Sequence, residues 1–369
     1  MTGHGQSGRL LLVADTLGGG LGAVVFTQSA WFRERGWSVV VAAPHGSTLY
    51  GEVDGLLPTS IPPTAADVRA MGRAAGDVRA LVRSFKPTVI HCHGLRSLLV
   101  VALAGRRAFV TIHGPGSLPG EPRHLRSLRR LALRIVPSAL TLDAFSAGPG
   151  HAGWVFLPHA SPRLQALERR PFPGSETVPT FLWVGRLEDQ KRCDLFVEAL
   201  ARAAREVSLR GVVVGGGSLE TPLRELAAEL GAPISFAGST KDIVPLLDEA
   251  WAVVLLSRWE AVPFALSEAM WAGRPVIASR LPGAEWLVGE AGHLVDSVDE
   301  TVEAIVALTD HGQATSMGRA AAERVRALLS PDMPWPATEV AYRRGGRGTR
   351  AHPRDGHTLN VPRSDARPG

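Results

Sequence analysis

Glu260 and Glu268 stand eight positions apart, just past an apolar run and inside the segment that follows it. Residues 251–256 read as a buried strand. Pro263 suits the first turn of a helix, and Gly273 followed by Pro275 suits its end. The first turn of such a helix, around Phe264 and Ala265, presents backbone amides without intrahelical partners. Together with the helix dipole they favour an anion. One carboxylate lies before that turn and the other one to two turns inside the helix, so the two would flank the anion. A ligand carrying a phosphate and several hydroxyls, such as a nucleotide sugar, has the matching chemistry. Glu260 sits in Trp259-Glu260-Ala261-Val262-Pro263-Phe264, an apolar setting in which a half-buried carboxylate needs a partner. The plain alternative is one loop acid and one exposed helix acid.

Three further clusters fall just past the ends of apolar runs, where parallel sheets hold ligands. Arg186 follows residues 181–184 almost directly, and Lys191 lies five positions on, near a helix start. A cation there opposes the helix dipole unless an anion compensates, and an Arg and a Lys converging on a diphosphate would supply it. A solvated pairing with Glu188 and Asp189 is the alternative. Gly18-Gly19-Gly20-Leu21-Gly22 lets backbone amides approach a phosphate or sugar closely. It lacks the dinucleotide fingerprint, because no acid ends the second strand. His113 precedes a Gly/Pro loop at a strand end, placed to hydrogen-bond a ligand or to serve as a satisfied structural histidine. His91 and His93 share one face of a strand, but no third metal ligand is evident. No Asp-x-Asp occurs, so a divalent ion bridging a diphosphate has no evident protein ligand; the Arg/Lys pair and the helix dipole would carry that charge.

The elements that must position these residues alternate short apolar runs with longer helix-period runs, which argues α/β with parallel sheets. Strands are expected at residues 10–14, 38–42, 88–91, 109–112, 181–184, 209–214, 234–237, 251–256 and from 276. Helices are expected at residues 24–35, 67–84, 119–138 (a basic one), 193–205, 220–230, 301–308 and 314–329. A short helix is expected at 335–344. Residues 163–179 carry Arg169, Arg170, Pro171, Pro173, Gly174 and Pro179 with no periodic apolar face, and read as a linker. The expected division is 1–165, a linker at 166–179, 180–330, a C-terminal segment at 331–344 and a disordered basic tail at 345–369.

A chain of 369 residues can fill two cores, and 45% hydrophobic with 20% charged residues is ordinary for a globular protein. The net charge of +5 belongs entirely to residues 341–369, which hold seven Arg and two Asp; the rest of the chain balances 33 against 33. The charge is therefore no argument for nucleic-acid binding by the folded body. Cys92 and Cys193 give neither a disulfide framework nor zinc spacing, so a reduced, cytoplasmic setting is expected. No apolar stretch approaches the length of a membrane span.

In order and spacing, these clusters resemble the family-4 retaining glycosyltransferases of the GT-B fold. Residues 260–270 look like that family's Glu-x7-Glu element, followed by Ala272-Gly273-Arg274-Pro275. Gly185-Arg186-Leu187 with Lys191 resembles its Gly-Arg-Leu…Lys element. Val214-Gly215-Gly216-Gly217, and Phe236-Ala237-Gly238, resemble its next two donor-domain loops. Gly19-Gly20, His91-Cys92-His93-Gly94 and Thr111-Ile112-His113-Gly114 fit its first domain.

The resemblance implies two Rossmann-like parallel-sheet domains facing each other across a cleft, an N-terminal one for the acceptor and a C-terminal one for the donor. It implies that Arg186 and Lys191 bind the donor diphosphate and that Glu268 binds the ribose hydroxyls. Glu260 and the backbone of Val262, Pro263, Phe264 and Ala265 would hold the transferred sugar. His113 would reach that sugar from the other domain, and Gly19, Gly20, Gly215 and Gly238 would approach the donor. It further implies retention of configuration without an enzymic nucleophile, and no cofactor or metal. The acceptor would be a carbohydrate, a lipid-linked sugar or a small molecule. Ala261 departs from the family pattern, which has glycine there; a positive φ at that position would strain it. Two other readings stay open: a catalytically silent sugar-nucleotide-binding protein and a sugar-nucleotide epimerase of the same fold. Arg126, Arg130 and Arg134 recur on one face of the basic helix, which is either a peripheral contact to the inner membrane face or a solvated surface.

Overall fold

Residues 10–13 and 39–43 are apolar on both strand faces, the pattern of strands covered on both sides. The computed structural model describes residues 8–44, 55–62, 67–113, 139–141, 154–156, 158–168 and 170–343. Two units divide the chain. The first comprises Met1–Pro158 and Pro334–Gly369; the second is His159–Met333.

In the first unit the elements are β1 (Arg9–Ala14), α1 (Gly19–Glu34), β2 (Ser38–Ala43), β3 (Leu56–Pro58), α2 (Val68–Phe85), β4 (Val89–His93), α3 (Leu95–Leu103), β5 (Phe109–Ile112), β6 (Ala139–Thr141) and β7 (Trp154–Phe156). All seven strands pair in parallel, in the order β3-β2-β1-β4-β5-β6-β7. Leu11, Val13, Val78, Leu98 and Val110 are fully buried in one cluster between the sheet and helices α2 and α3. Asp67 caps α2 through the Ala70 amide, and Lys86 ends it in the left-handed conformation.

The second unit contains β8 (Thr180–Val184), α4 (Cys193–Ala203), β9 (Arg210–Val214), α5 (Glu220–Glu229), β10 (Ile234–Gly238), α6 (Val244–Glu249), β11 (Ala252–Leu255), α7 (Phe264–Trp271), β12 (Val276–Ser279), α8 (Pro282–Val288), β13 (His293–Val295), α9 (Val298–Ala307) and α10 (His311–Leu328). Its six strands are again parallel, in the order β10-β9-β8-β11-β12-β13. Trp183, Phe181, Phe196 and Trp251 fill its core. Each sheet therefore reverses strand order beside its first strand, the position at which parallel α/β sheets open a crevice.

The domain expectations need correction in two places. Residues 166–179 are not a linker but part of the second unit. Leu164 and Leu167 are fully buried, and Arg170 pairs with Asp248. The Phe172 ring meets Trp251 at 5.9 Å. Side-chain anchoring, which leaves no periodicity, holds this segment in place. The C-terminal helix α11 (Trp335–Arg343) is not a separate segment either, because it belongs to the first unit. Its Tyr342 packs between Phe32, Trp37 and Phe109. Helix α1 starts at Gly19 rather than Val24, so the glycine run is the helix's first turn. The basic helix expected at 119–138, with Arg126, Arg130 and Arg134, and the tail at 345–369 lie outside the described residues.

Candidate functional site

In the second unit the loops that leave β8, β9 and β10 are stitched together by their backbones. The Gly185 amide donates to Val214 O at 3.0 Å, Gly215 to Gly238 O at 2.9 Å, and Leu187 to Gly216 O at 3.0 Å. Glycine is required at this crossing. Gly215 has φ +142°, and a Cβ on it would stand 1.7 Å from Gly185 O. The Glu188 carboxylate accepts from the Ser218 amide and hydroxyl at 3.1 and 2.8 Å, which holds its pKa below the usual range. Asp189 pairs with Arg258. Neither acid therefore takes Arg186 or Lys191 as its main partner.

Those two cations turn toward the Glu260 loop instead. Lys191 ends a short 3-10 turn, Asp189–Lys191, immediately before α4. Its ammonium forms an ion pair with the Glu260 carboxylate, which also accepts from the Ser257 hydroxyl at 2.6 Å. Both side chains are largely buried, 17% and 9% exposed, so the pair is shielded from the solvent that makes surface pairs weak. Arg186 Nη2 donates to Gln190 Oε1 at 3.2 Å, and Gln190 Nε2 donates to Trp259 O at 3.0 Å. One cation thus meets Glu260 directly, and the other is tied to the same loop through an amide.

Helix α7 begins directly after this loop. Its N-cap, Pro263, offers no side-chain acceptor, so the first-turn amides at Phe264 and Ala265 have no cap. Ala261 does not carry the strain that a glycine substitution there would suggest. Among the described residues, the only non-glycine residues at positive φ are Lys86 and Arg192. The loop is instead set from below by Gly283, in the first turn of α8. A Cβ on Gly283 would fall 1.4 Å from Ala261 O.

Glu268 is placed differently from Glu260. It is 3% exposed, accepts from the Ser161 hydroxyl, and lies 3.5 Å from Arg163 Nη1. Burial raises its pKa, opposed by Arg163 and Ser161. No sequence signal points to these partners, because they lie in the irregular segment before β8. Ser257 was also missed; its signal is a hydroxyl at a strand's carboxyl end, three positions before an acid.

In the first unit Gly18 caps α1 without a side-chain acceptor, and Gly19 has φ +60°. The α1 entry is therefore a backbone surface, with Gly20 in its first turn. Gly22 must be glycine, since a Cβ would meet Leu17 O at 1.8 Å. Asp15, at the end of β1, accepts from the Ser97 amide at 2.6 Å and the Arg96 amide at 3.3 Å, so it serves the start of α3. Burial raises its pKa, opposed first by Arg96.

His113 is joined to a buried polar network. Its Nε2 lies 3.0 Å from His93 Nδ1, and His93 Nε2 lies 2.6 Å from Gln28 Oε1. Gln28 Nε2 donates to the Tyr342 hydroxyl at 2.7 Å. His91 bonds Tyr342 through Nδ1 and Thr111 through Nε2, the latter at 2.7 Å. The rings of His91 and His93 stack at 4.6 Å. Burial pushes both His91 and His113 down to about 3, so both are neutral near pH 7. Gln28 and Tyr342 carried no sequence signal, being 314 positions apart and each inside a helix.

Two parallel-sheet α/β units, each with ligand-type loops at the carboxyl ends of its strands, define the GT-B class of architecture. Residues 178–311 match the family described as Glycosyl transferases group 1, and residues 18–147 match Glycosyltransferase Family 4. The chain belongs to this family of glycosyltransferases. It is 29% identical over 182 residues to the lipopolysaccharide core biosynthesis glycosyltransferase LpsE of Rhizobium meliloti (44% of this chain, 52% of that protein). It is 26% identical over 242 residues to a GDP-mannose-dependent monoacylated phosphatidylinositol monomannoside mannosyltransferase of Corynebacterium glutamicum (59% and 64%). The chain thus spans about half to just under two-thirds of the length of these relatives. Among solved structures, Anabaena HepE in complex with UDP-glucose shares the fold with a TM-score of 0.73 at 17% identity, over 92% of this chain and 99% of that one.

Proposed function

We propose that the protein is a retaining glycosyltransferase, moving a sugar from a nucleotide-diphosphate donor to an acceptor hydroxyl without a metal ion. The observation that carries this reading is the Lys191–Glu260 ion pair, held by Ser257 beside the uncapped first turn of α7. In this reading Lys191 and Arg186 neutralise the leaving diphosphate. Once the donor is bound both charges are in place before the sugar–phosphate bond breaks, so the chemical step needs no further reorganisation. Glu260, released from Lys191 as the diphosphate binds, accepts from hydroxyls of the transferred sugar, and the amides around Phe264 and Ala265 face its oxygens. Gly215 and Gly238 allow close approach of the donor, and Gly19 and Gly20 are assigned to it by family resemblance. His113 is assigned to the sugar by family resemblance. Glu268 binds the ribose hydroxyls only by exchanging its bonds to Ser161 and Arg163 for them.

Donor nucleotides of UDP and GDP type occur in the names of similar proteins, and one of these acts on a lipid-borne acceptor. A carbohydrate or lipid-linked acceptor suits this chain, reached from the cytoplasmic side of a membrane. Among the described residues no helix is long and apolar enough to cross one.

The test is a thermal-shift panel of UDP-, GDP-, ADP- and dTDP-sugars, with product analysis by NMR. One donor is expected to raise the melting temperature, and Lys191→Ala to abolish that rise with the fold intact. The product should keep the donor's anomeric configuration, and activity should survive EDTA. Inverted product, or loss of turnover on chelation restored by magnesium, overturns the mechanism; unchanged donor binding in Lys191→Ala overturns the site.

A further inference from the structure

The buried network of the first unit has a direction, and Tyr342 sets it. A phenol is a better proton donor than a neutral imidazole N–H, and an imidazole nitrogen is a better acceptor than a phenolic oxygen. The short contact between Tyr342 and His91 Nδ1 is therefore O–H···N, with the His91 proton on Nε2, facing Thr111 Oγ1. With its proton committed to His91, the Tyr342 oxygen presents lone pairs to Gln28, and only the NH2 side of the amide satisfies them. Gln28 Oε1 must then face His93 and accept from its Nε2–H, which leaves the His93 lone pair on Nδ1. That lone pair faces His113 Nε2 at 3.0 Å and accepts from it.

We propose that Tyr342, acting through Gln28 and His93, fixes the tautomer of His113 with the proton on Nε2 and the lone pair on Nδ1. Helix α11 thereby becomes a working part of the site. These three are positioning residues: none need touch the ligand, and their common effect is to make His113 an acceptor at Nδ1, suited to a sugar hydroxyl. Reversing the Gln28 amide would invert every bond in the chain and turn His113 Nδ1 into a donor. Gln28 Nε2 also lies 3.2 Å from His91 Nδ1, so the Tyr342 hydroxyl and the His91 lone pair it points at together decide between two complete arrangements of the same side chains. The neutrality of His91 at ordinary pH agrees with this, since an imidazolium there has no lone pair for Tyr342. The consequence for turnover rests on the proposed role of His113 at the sugar; the tautomer itself does not.

The experiment uses the full chain labelled with 15N-histidine, with the His113 resonances assigned by their loss in His113→Asn. Long-range proton–nitrogen correlation is expected to give His113 as the Nε2–H tautomer. Tyr342→Phe removes one buried hydroxyl and keeps the ring among Phe32, Trp37 and Phe109. It should move the His113 nitrogens to intermediate shifts, those of mixed tautomers. With the donor that stabilises the protein best in the sugar-nucleotide panel, kcat should fall about tenfold while KM stays within about threefold. Gln28→Leu, which cuts the same path one step later, should do likewise and serves if Tyr342→Phe does not fold. A His113 tautomer unchanged in the folded variants overturns the inference. A changed tautomer with unchanged turnover upholds the inference and instead removes His113 from the proposed reaction.

Discussion

Lowering the pH from 7 to 5 is expected to destabilise the first unit through His91, by an amount the structure allows to be worked out. His91 is 1% exposed, and its pKa falls from 6.5 to about 3, first by burial and second by the neighbouring His113. As a base whose folded pKa is depressed, it binds its proton first in the unfolded chain. Its contribution to stability is complete above pH 6.5 and is lost progressively as the pH falls toward 3. The favourable contribution lost between pH 7 and pH 5 is about 2 kcal/mol. His113, shifted in the same direction, adds to the loss. Native-state hydrogen exchange of the β1 and β4 amides, corrected for intrinsic rates, reads this as a fall in opening free energy. His91→Asn will lower the baseline at both pH values, yet should shrink the difference between them by about 2 kcal/mol. An undiminished pH dependence in that variant would refute the reasoning, because the titrating group would then lie elsewhere.

Arg274 is fully buried and donates to Leu247 O, Ala272 O and Pro171 O at 2.8, 3.2 and 2.5 Å. Arg274→Met strands these carbonyls and should cost about 3–5 kcal/mol, seen as a melting temperature lowered by about 10 °C. Gly283→Ala forces the Glu260–Ala261 loop away from α8. It should weaken donor stabilisation as well as cost about 2–4 kcal/mol in denaturant titration. Gly72→Ala, in a helix interior with nothing within 4 Å of its Cβ, should instead stabilise by about 0.5–1 kcal/mol.

The parts legible in the sequence are those whose signal is local. Strand β5 was readable to the residue because Phe109–Ile112 is a short apolar run between polar punctuation. The Arg186, Lys191 and Glu260 cluster was readable because strand ends and helix starts fix where such side chains emerge. What could not be read depends on distant partners. Residues 163–179 have no apolar period, yet Leu164, Leu167 and Arg170 fasten them to the second unit. Helix α11 has period enough to be called a helix, but nothing in its nine residues says that Tyr342 belongs beside Gln28. His91 and His93, on one strand face, invited a metal reading. Their nitrogens instead lie against Thr111, Tyr342, Gln28 and His113. Glu268 looked like an exposed helix acid or a ribose ligand, and Ser161 and Arg163 could not be inferred from the helix that carries it.

The discontinuity of the first unit has a consequence for how the protein is made. A ribosome delivers Gln28, His91 and His93 early, but Tyr342 emerges only after the entire second unit has been translated. At about 5–20 residues per second, that interval is roughly ten to fifty seconds. Throughout it the nascent first unit lacks the Tyr342 hydroxyl that meets Gln28 and His91 and the ring that packs on Phe32 and Phe109. Helix α11 therefore acts as a latch on the first unit that can close only once the second has been made.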